Sequence, residues 1–94
     1  MRRDTAVVAL GALAQEARLE IVNLLAANGG EGLPAGEIAA RLGLPPASLS
    51  FHFQRLVQAG LVTQRRRSRH IIYAIDVRRM RDLVAFLDGC CNFS

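Results

Sequence analysis

Two groups of side chains in this 94-residue chain could do chemistry. The first is the stretch Ser48-Leu49-Ser50-Phe51-His52-Phe53-Gln54-Arg55-Leu56-Val57-Gln58, followed closely by Gln64-Arg65-Arg66-Arg67-Ser68-Arg69-His70. Amides and guanidinium groups can bond bidentately to adenine and guanine edges, an aromatic edge can meet a thymine methyl, and hydroxyls commonly hold phosphates. The second group is Cys90-Cys91, two adjacent thiols and the only cysteines present. As thiolates they would suit soft, thiophilic ions, and they could also be oxidised.

Charge distribution supports an anionic partner for the first group. The formal net charge is +4, and all twelve basic residues are arginine. No Asp or Glu falls between Glu37 and Asp76, an interval that carries Arg41, Arg55, Arg65, Arg66, Arg67 and Arg69. A solvated face normally mixes signs, so this segregation points to nucleic acid. No Cys-x-x-Cys, Ser-His-Asp arrangement, phosphate-cradling glycine loop or acidic pair is present, so nothing suggests an enzyme. His52 has no Cys, Asp or Glu close by in sequence, which favours a structural or DNA-contacting role over metal ligation.

These residues need elements to position them, and the periodicity predicts mainly helix with one β-hairpin. Asp4 or Thr5 caps a first helix over about 5–13, with Val7, Leu10 and Leu13 facing inward. A second helix, about 15–28, uses Leu19, Val22, Leu25 and Ala26 and ends at Asn28-Gly29-Gly30. Glu31-Gly32-Leu33 is expected to be a loop. Pro34 opens the first turn of a short helix over 35–42 that buries Ile38, Ala39 and Leu42, and Gly43 supplies a left-handed stop. Leu44-Pro45-Pro46 turns the chain into a fourth helix, 46–59, with Leu49, Phe53, Leu56 and Val57 inward. Ser48, Ser50, Phe51, Gln54, Arg55 and Gln58 then face outward, with His52 at the boundary. Helix, short turn, helix is the arrangement that presents a second helix to the major groove.

Two strands follow, about 61–66 and 70–75. The tip between them lacks glycine, so a loose loop is expected there. Asp76 caps a last helix, 77–90, whose apolar stripe of Val77, Met80, Leu83, Val84 and Leu87 leads to the cysteines. The architecture predicted is a single winged helix-turn-helix domain: four helices, a hairpin wing and a final helix. An apolar fraction of 51% is high for so small a soluble chain, which suggests surface reserved for a second copy. No apolar run approaches the roughly 18 residues of a membrane span. Glu16 and Arg18 interrupt what would be a secretory leader, so the expected location is cytoplasmic, with reduced cysteines.

Leu13-Ala14-Gln15-Glu16-Ala17-Arg18-Leu19-Glu20-Ile21 resembles the opening AL-x-x-x-x-RL-x-I-L helix of the ArsR/SmtB family of metal-responsive repressors. Glu37-Ile38-Ala39-Ala40-Arg41-Leu42-Gly43-Leu44 is similar to that family's third helix, and Leu49 to Leu56 with Ala59-Gly60-Leu61-Val62 to its recognition helix and the approach to the wing. The order and spacing cover nearly the whole chain. The resemblance implies a homodimer built from the first and last helices, reading an imperfect inverted repeat of operator DNA and repressing transcription. It places Ser48, Ser50, Phe51, His52, Gln54 and Arg55 at the groove, and Arg65, Arg66, Arg67 and Arg69 at phosphates.

The resemblance also narrows the inducer. The family's Cys-x-Cys site on the third helix has no counterpart in Glu37-Ile38-Ala39-Ala40-Arg41. Its zinc site on the last helix would fall on Asp76, Arg78, Gly89 and Asn92, three of which cannot serve as the required ligands. What remains resembles the arsenite-sensing branch: Cys90 and Cys91 as ligands for As(III), with Sb(III) or a methylated arsenical as chemically close substitutes. That branch uses a third, downstream cysteine, which is missing from this sequence. A cysteine beyond Ser94, a small thiol, water or a partner-chain group would have to complete the coordination. Packing filler and thiol oxidation stay open for the same pair. So does a regulator with no metalloid site, governed by oxidation or a protein partner.

Overall fold

A computed structural model of the chain describes residues 1–91. Its elements run α1 (Arg3–Leu13), α2 (Glu16–Ala27), β1 (Leu33–Pro34), α3 (Ala35–Leu42), α4 (Pro46–Gln58), β2 (Val62–Arg67), β3 (His70–Ile75) and α5 (Val77–Cys90). This is the expected winged helix-turn-helix, with one strand more than the sequence suggested. No helix among the described residues is long and apolar enough to cross a membrane.

The added strand is β1, which pairs antiparallel with β3 through Leu33 opposite Tyr73 and Pro34 opposite Ile72. The sheet order is therefore β1-β3-β2. At two residues β1 is too short to show alternation, so a loop was the natural reading of its sequence. Gly32 makes the pairing possible. Its φ is +81°, and a Cβ there would lie 2.4 Å from the Tyr73 carbonyl oxygen and 2.9 Å from the Ala74 Cβ. The α3 helix keeps the expected bounds, and Pro34 is the extended residue preceding it, with φ −65° and ψ 146°.

The turn into α4 follows the sequence logic. Gly43 takes φ +65° as the left-handed end of α3, and its N–H donates to the Ala39 carbonyl. Pro46 is the first residue of α4, where its missing N–H costs nothing. Leu49, Phe53 and Leu56 are buried as the spacing requires, with Val57 half-buried beside them. Together with Ile21, Leu25, Ile38, Leu61 and Ile75 they form one core, and among the described residues no charged or polar residue is buried.

Three expectations need correction. The α1 helix starts at Arg3 rather than after a cap at Asp4 or Thr5, and Asp4 instead accepts from the Thr5 N–H at 2.9 Å within the first turn. Its inward face is Ala6, Ala9 and Ala12, while Val7, Val8 and Leu10 are exposed and only Leu13 of the expected stripe packs on the core. Small residues let α1 lie close against its neighbours, and close approach decides the rotation where side-chain size alone would not. In α2, similarly, Ile21 replaces Leu19 and Ala26 on the buried side.

The wing tip is the third correction. Arg67 pairs with His70, which leaves only Ser68 and Arg69 in the turn. A two-residue hairpin needs positive φ to match the strand twist, and Ser68 supplies it at +58°. Glycine is the usual residue for that role, and its absence is why a looser connection was expected. At the other end of the hairpin, Asp76 caps α5 as predicted, accepting from the Arg79 N–H at 3.0 Å. Of the α5 stripe, Leu83 is buried and Met80 half-buried, while Val77, Val84 and Leu87 stay exposed.

Candidate nucleic-acid interface

The outward face of α4 carries Ser48, Ser50, Phe51, Gln54 and Arg55, all exposed. Ser50 donates its hydroxyl to the Pro46 carbonyl at 3.3 Å, so its oxygen remains able to accept. The Arg55 guanidinium lies 5.2 Å from the centre of the Phe51 ring, a cation–π pair that narrows the rotamers available to both. Neither side chain is needed by the core. Their placement leaves hydrogen-bond donors and one aromatic edge on the side of the helix that a groove would meet.

His52 sits differently. It is half-buried, and its Nδ1 lies 3.4 Å from Nη1 of Arg18, whose Nε donates to the Ala12 carbonyl at 2.6 Å. With the guanidinium as donor, Nδ1 is the acceptor and the proton of the neutral ring rests on Nε2. Burial, and then the Arg18 charge, hold the imidazole below its ordinary value of 6.5. Arg18 therefore ties together the end of α1, the start of α2 and the middle of α4. Reading for groove contacts overlooked it. The signal was its fixed place in the Arg-Leu pair of the second helix, far in sequence from His52.

The wing arginines are exposed and alternate between two faces. Arg65 and Arg67 share a side with Thr63, opposite Ile72 and His70. Arg66 shares a side with Gln64, opposite Ile71 and Tyr73. Tyr73 stacks on Phe53 of α4 with ring centres 3.7 Å apart, so Arg66 projects from the face on which the wing meets that helix. Arg65 is partly committed elsewhere: its Nη2 donates to the Glu31 carbonyl at 2.9 Å, bracing the wing against the segment before β1. Arg66, Arg67 and Arg69 make no salt bridge among the described residues.

Cys90 is the last residue of α5 and Cys91 its C-cap, with φ −98° and ψ 16°. Both are exposed free thiols, and the Cys91 N–H donates to the Leu87 and Asp88 carbonyls at 3.1 Å each. Consecutive residues of a regular helix diverge by about 100°, so a shared ligand would draw on the freedom of Cys91 at the helix end. No group of three or more His, Cys, Asp or Glu side chains converges among the described residues. The two thiols are thus a donor set suited to a soft ion and short of a third ligand. Asn92 lies outside the described residues.

A family model described as a helix-turn-helix domain matches residues 13–65. The transcriptional activator HlyU of Vibrio cholerae is 34% identical over 82 residues, spanning 87% of this chain and 73% of HlyU. A homodimeric winged helix-turn-helix DNA-binding domain from Mycobacterium bovis, described as a possible ArsR-family regulator, superposes with a TM-score of 0.73. It is 31% identical, and the match covers 92% of this chain and 80% of that one. An ArsR-like transcriptional regulator from Rhodococcus has the same fold, with a TM-score of 0.80 at 24% identity over 93% of this chain and 79% of that one. The chain belongs to the helix-turn-helix family, among the ArsR-like winged-helix transcriptional regulators to which HlyU is related.

Proposed function

We propose that this protein binds operator DNA as a homodimer, with α4 in the major groove and the wing on the adjacent backbone, and that ligation of Cys90 and Cys91 releases it. The observation that carries the DNA reading is the exposed face of α4 beside an arginine-bearing wing, within an interval free of acids. Gln54 and Arg55 would read base edges, Phe51 a thymine methyl, and Ser48 and Ser50 the phosphates flanking them. His52 would contribute through Nε2. Arg66, Arg67 and Arg69 would neutralise backbone, with Arg65 shared between phosphate and Glu31.

The homodimer reading rests on Val7, Val8 and Leu10 of α1 and Val77, Val84 and Leu87 of α5, apolar side chains left exposed at both ends of the chain. The Mycobacterium bovis relative is itself homodimeric. A dimer would set its two α4 helices near the roughly 34–36 Å spacing of successive major grooves. The sensor reading rests on two exposed adjacent thiols at the end of α5, the helix that would lie in that interface. As(III) is the inducer proposed, with Sb(III) or a methylated arsenical close behind. A small thiol or a partner-chain group would complete the coordination. Repression is the direction proposed, although HlyU is described as an activator.

Fluorescence anisotropy on the protein's own upstream DNA tests both halves. Tight binding reversed by arsenite under reducing conditions supports the reading. No binding at low salt sinks it. A second reading is favoured by the same exposed thiols: release driven by oxidation of the cysteines, without a metalloid. Reversal by peroxide and not by arsenite would select it.

A further inference from the structure

A cleft of about 290 Å³ opens where α1 and the start of α2 meet α4, lined by Val8, Gly11, Ala12, Arg18, Phe51, Arg55, Gln58 and Ala59. Unlike the clefts that pair arginine with aspartate, at Arg2, Arg3 and Asp4 and at Arg81 and Asp88, its charged groups are cations alone. Two guanidinium groups and an amide share it with an aromatic ring and small apolar walls, and no acid lines it. Neither Arg18 nor Arg55 forms a salt bridge among the described residues. Arg18 is held by the Ala12 carbonyl and faces His52, and Arg55 lies over the face of Phe51. With Nε of Arg18 taken by the Ala12 carbonyl, its terminal Nη donors and the guanidinium of Arg55 remain to meet a carboxylate ligand.

We infer that this cleft is a binding site for a small organic carboxylate, one ring or a short acyl chain in size. The volume lies near the lower end of the roughly 300–1,000 Å³ typical of ligand sites. The carboxylate would bridge Arg18 and Arg55, with Gln58 as a further donor, and the apolar part would lie against Phe51 and Ala12. Phe51 and Arg55 are also groove candidates, so an occupied cleft withholds both from DNA. This last consequence rests on the proposed DNA reading; the binding itself does not.

Gly11 provides the test. Gly11 lines the cleft, a Cβ there would meet nothing within 4 Å, and the residue belongs to neither the DNA face nor the core, so a leucine adds bulk at the cleft wall with no clash at Cβ. Para-fluorobenzoate is titrated into the free protein and its ¹⁹F resonance followed. A saturable shift is expected for the parent. It should be lost in Gly11→Leu and weakened about tenfold in Arg55→Gln, as removal of one charge-assisted pair would do. Circular dichroism and sedimentation establish that Gly11→Leu keeps the parent's fold and assembly.

No shift with the parent overturns the site, as does undiminished binding to Gly11→Leu. Benzoate should compete with operator DNA for the parent, and that competition should be lost with Gly11→Leu. Weakened DNA binding by Gly11→Leu, with no benzoate binding by the parent, would hand the cleft to a DNA phosphate. If the parent binds the probe but no DNA, the site stands and the DNA reading falls.

Discussion

Phe53 and Tyr73 lie face to face, with ring centres 3.7 Å apart and planes 2° from parallel. One is on the buried side of α4 and the other on β3, so an aromatic stack joins α4 to the wing beside their shared core. The ring of Tyr73 is also the residue against which Leu33 of β1 is registered. Helix and wing should therefore present their charges as one body.

Removing that stack should cost stability and DNA affinity together. Phe53→Ala is expected to destabilise by about 3–5 kcal/mol, the usual range for deleting a buried aromatic side chain. Tyr73→Leu retains most of the apolar volume and loses the stacking, worth about 0.5–1.5 kcal/mol. Urea denaturation measures both. An unchanged midpoint for Tyr73→Leu would show that the contact adds nothing beyond burial.

The wing arginines should separate by salt dependence. Arg66, Arg67 and Arg69 have no protein partner among the described residues. Each one replaced by Gln should lower the slope of log affinity against log salt by about 0.9 if it meets one phosphate. Arg65→Gln removes the bond to the Glu31 carbonyl, so it should lower stability more than its neighbours do. Equal slopes for the parent and a triple variant of Arg66, Arg67 and Arg69 would remove the wing from the interface.

The α3–α4 pair was legible because its signals are local: Gly43 must turn left-handed, Pro46 can only begin a helix, and Leu49, Phe53 and Leu56 recur at helical spacing. The Cys90-Cys91 pair was visible for a similar reason, being a feature of composition. What escaped depended on distant contacts. The strand at Leu33 exists only because β3 passes beside Gly32, and the alanine face of α1 only because α2 and α4 come close. Arg18 and His52 are 34 residues apart, and no periodicity links them.

That same contact predicts a pH dependence. His52 is held below its ordinary value of 6.5 by burial and, second, by Arg18, so the folded protein binds the imidazole proton less readily than the unfolded chain. Its share of stability is complete above 6.5, declines as pH falls from there through the folded value, and then levels off. His52→Gln should flatten that part of the stability profile relative to the parent. Parallel profiles for the two proteins between neutral and mildly acidic pH would show that His52 titrates normally.

The exposed valines of the outer helices predict the assembly. Val7 is 61% exposed on α1 and Val84 61% exposed on α5, and neither contributes to the core. A glutamate at either position should leave the helical circular dichroism unchanged, since surface substitutions usually shift stability by less than about 0.5 kcal/mol. Buried in a dimer, the same charge lacks a partner, so sedimentation should report monomers, and operator affinity should fall with the loss of the second reading head. Dimers persisting in the Val7→Glu, Val84→Glu double variant would move the interface elsewhere.

The cysteines separate sensing from packing by their independence of DNA binding. Both are exposed at the end of α5, so replacing them by serine removes little buried surface and should leave the unfolding midpoint and operator affinity near those of the parent. Arsenite should then release the parent and leave the Cys90→Ser, Cys91→Ser variant bound. Two thiolates without a third ligand bind a pyramidal ion less completely than three, so adding a millimolar small thiol should sharpen the response of the parent if it fills that position. Each single variant should lose most of the response, because one thiolate cannot chelate. Continued release of the double variant by arsenite would place the sensor outside this pair. Release of the parent by peroxide alone would make the same thiols a redox site, since oxidation needs only the exposed pair and no third ligand.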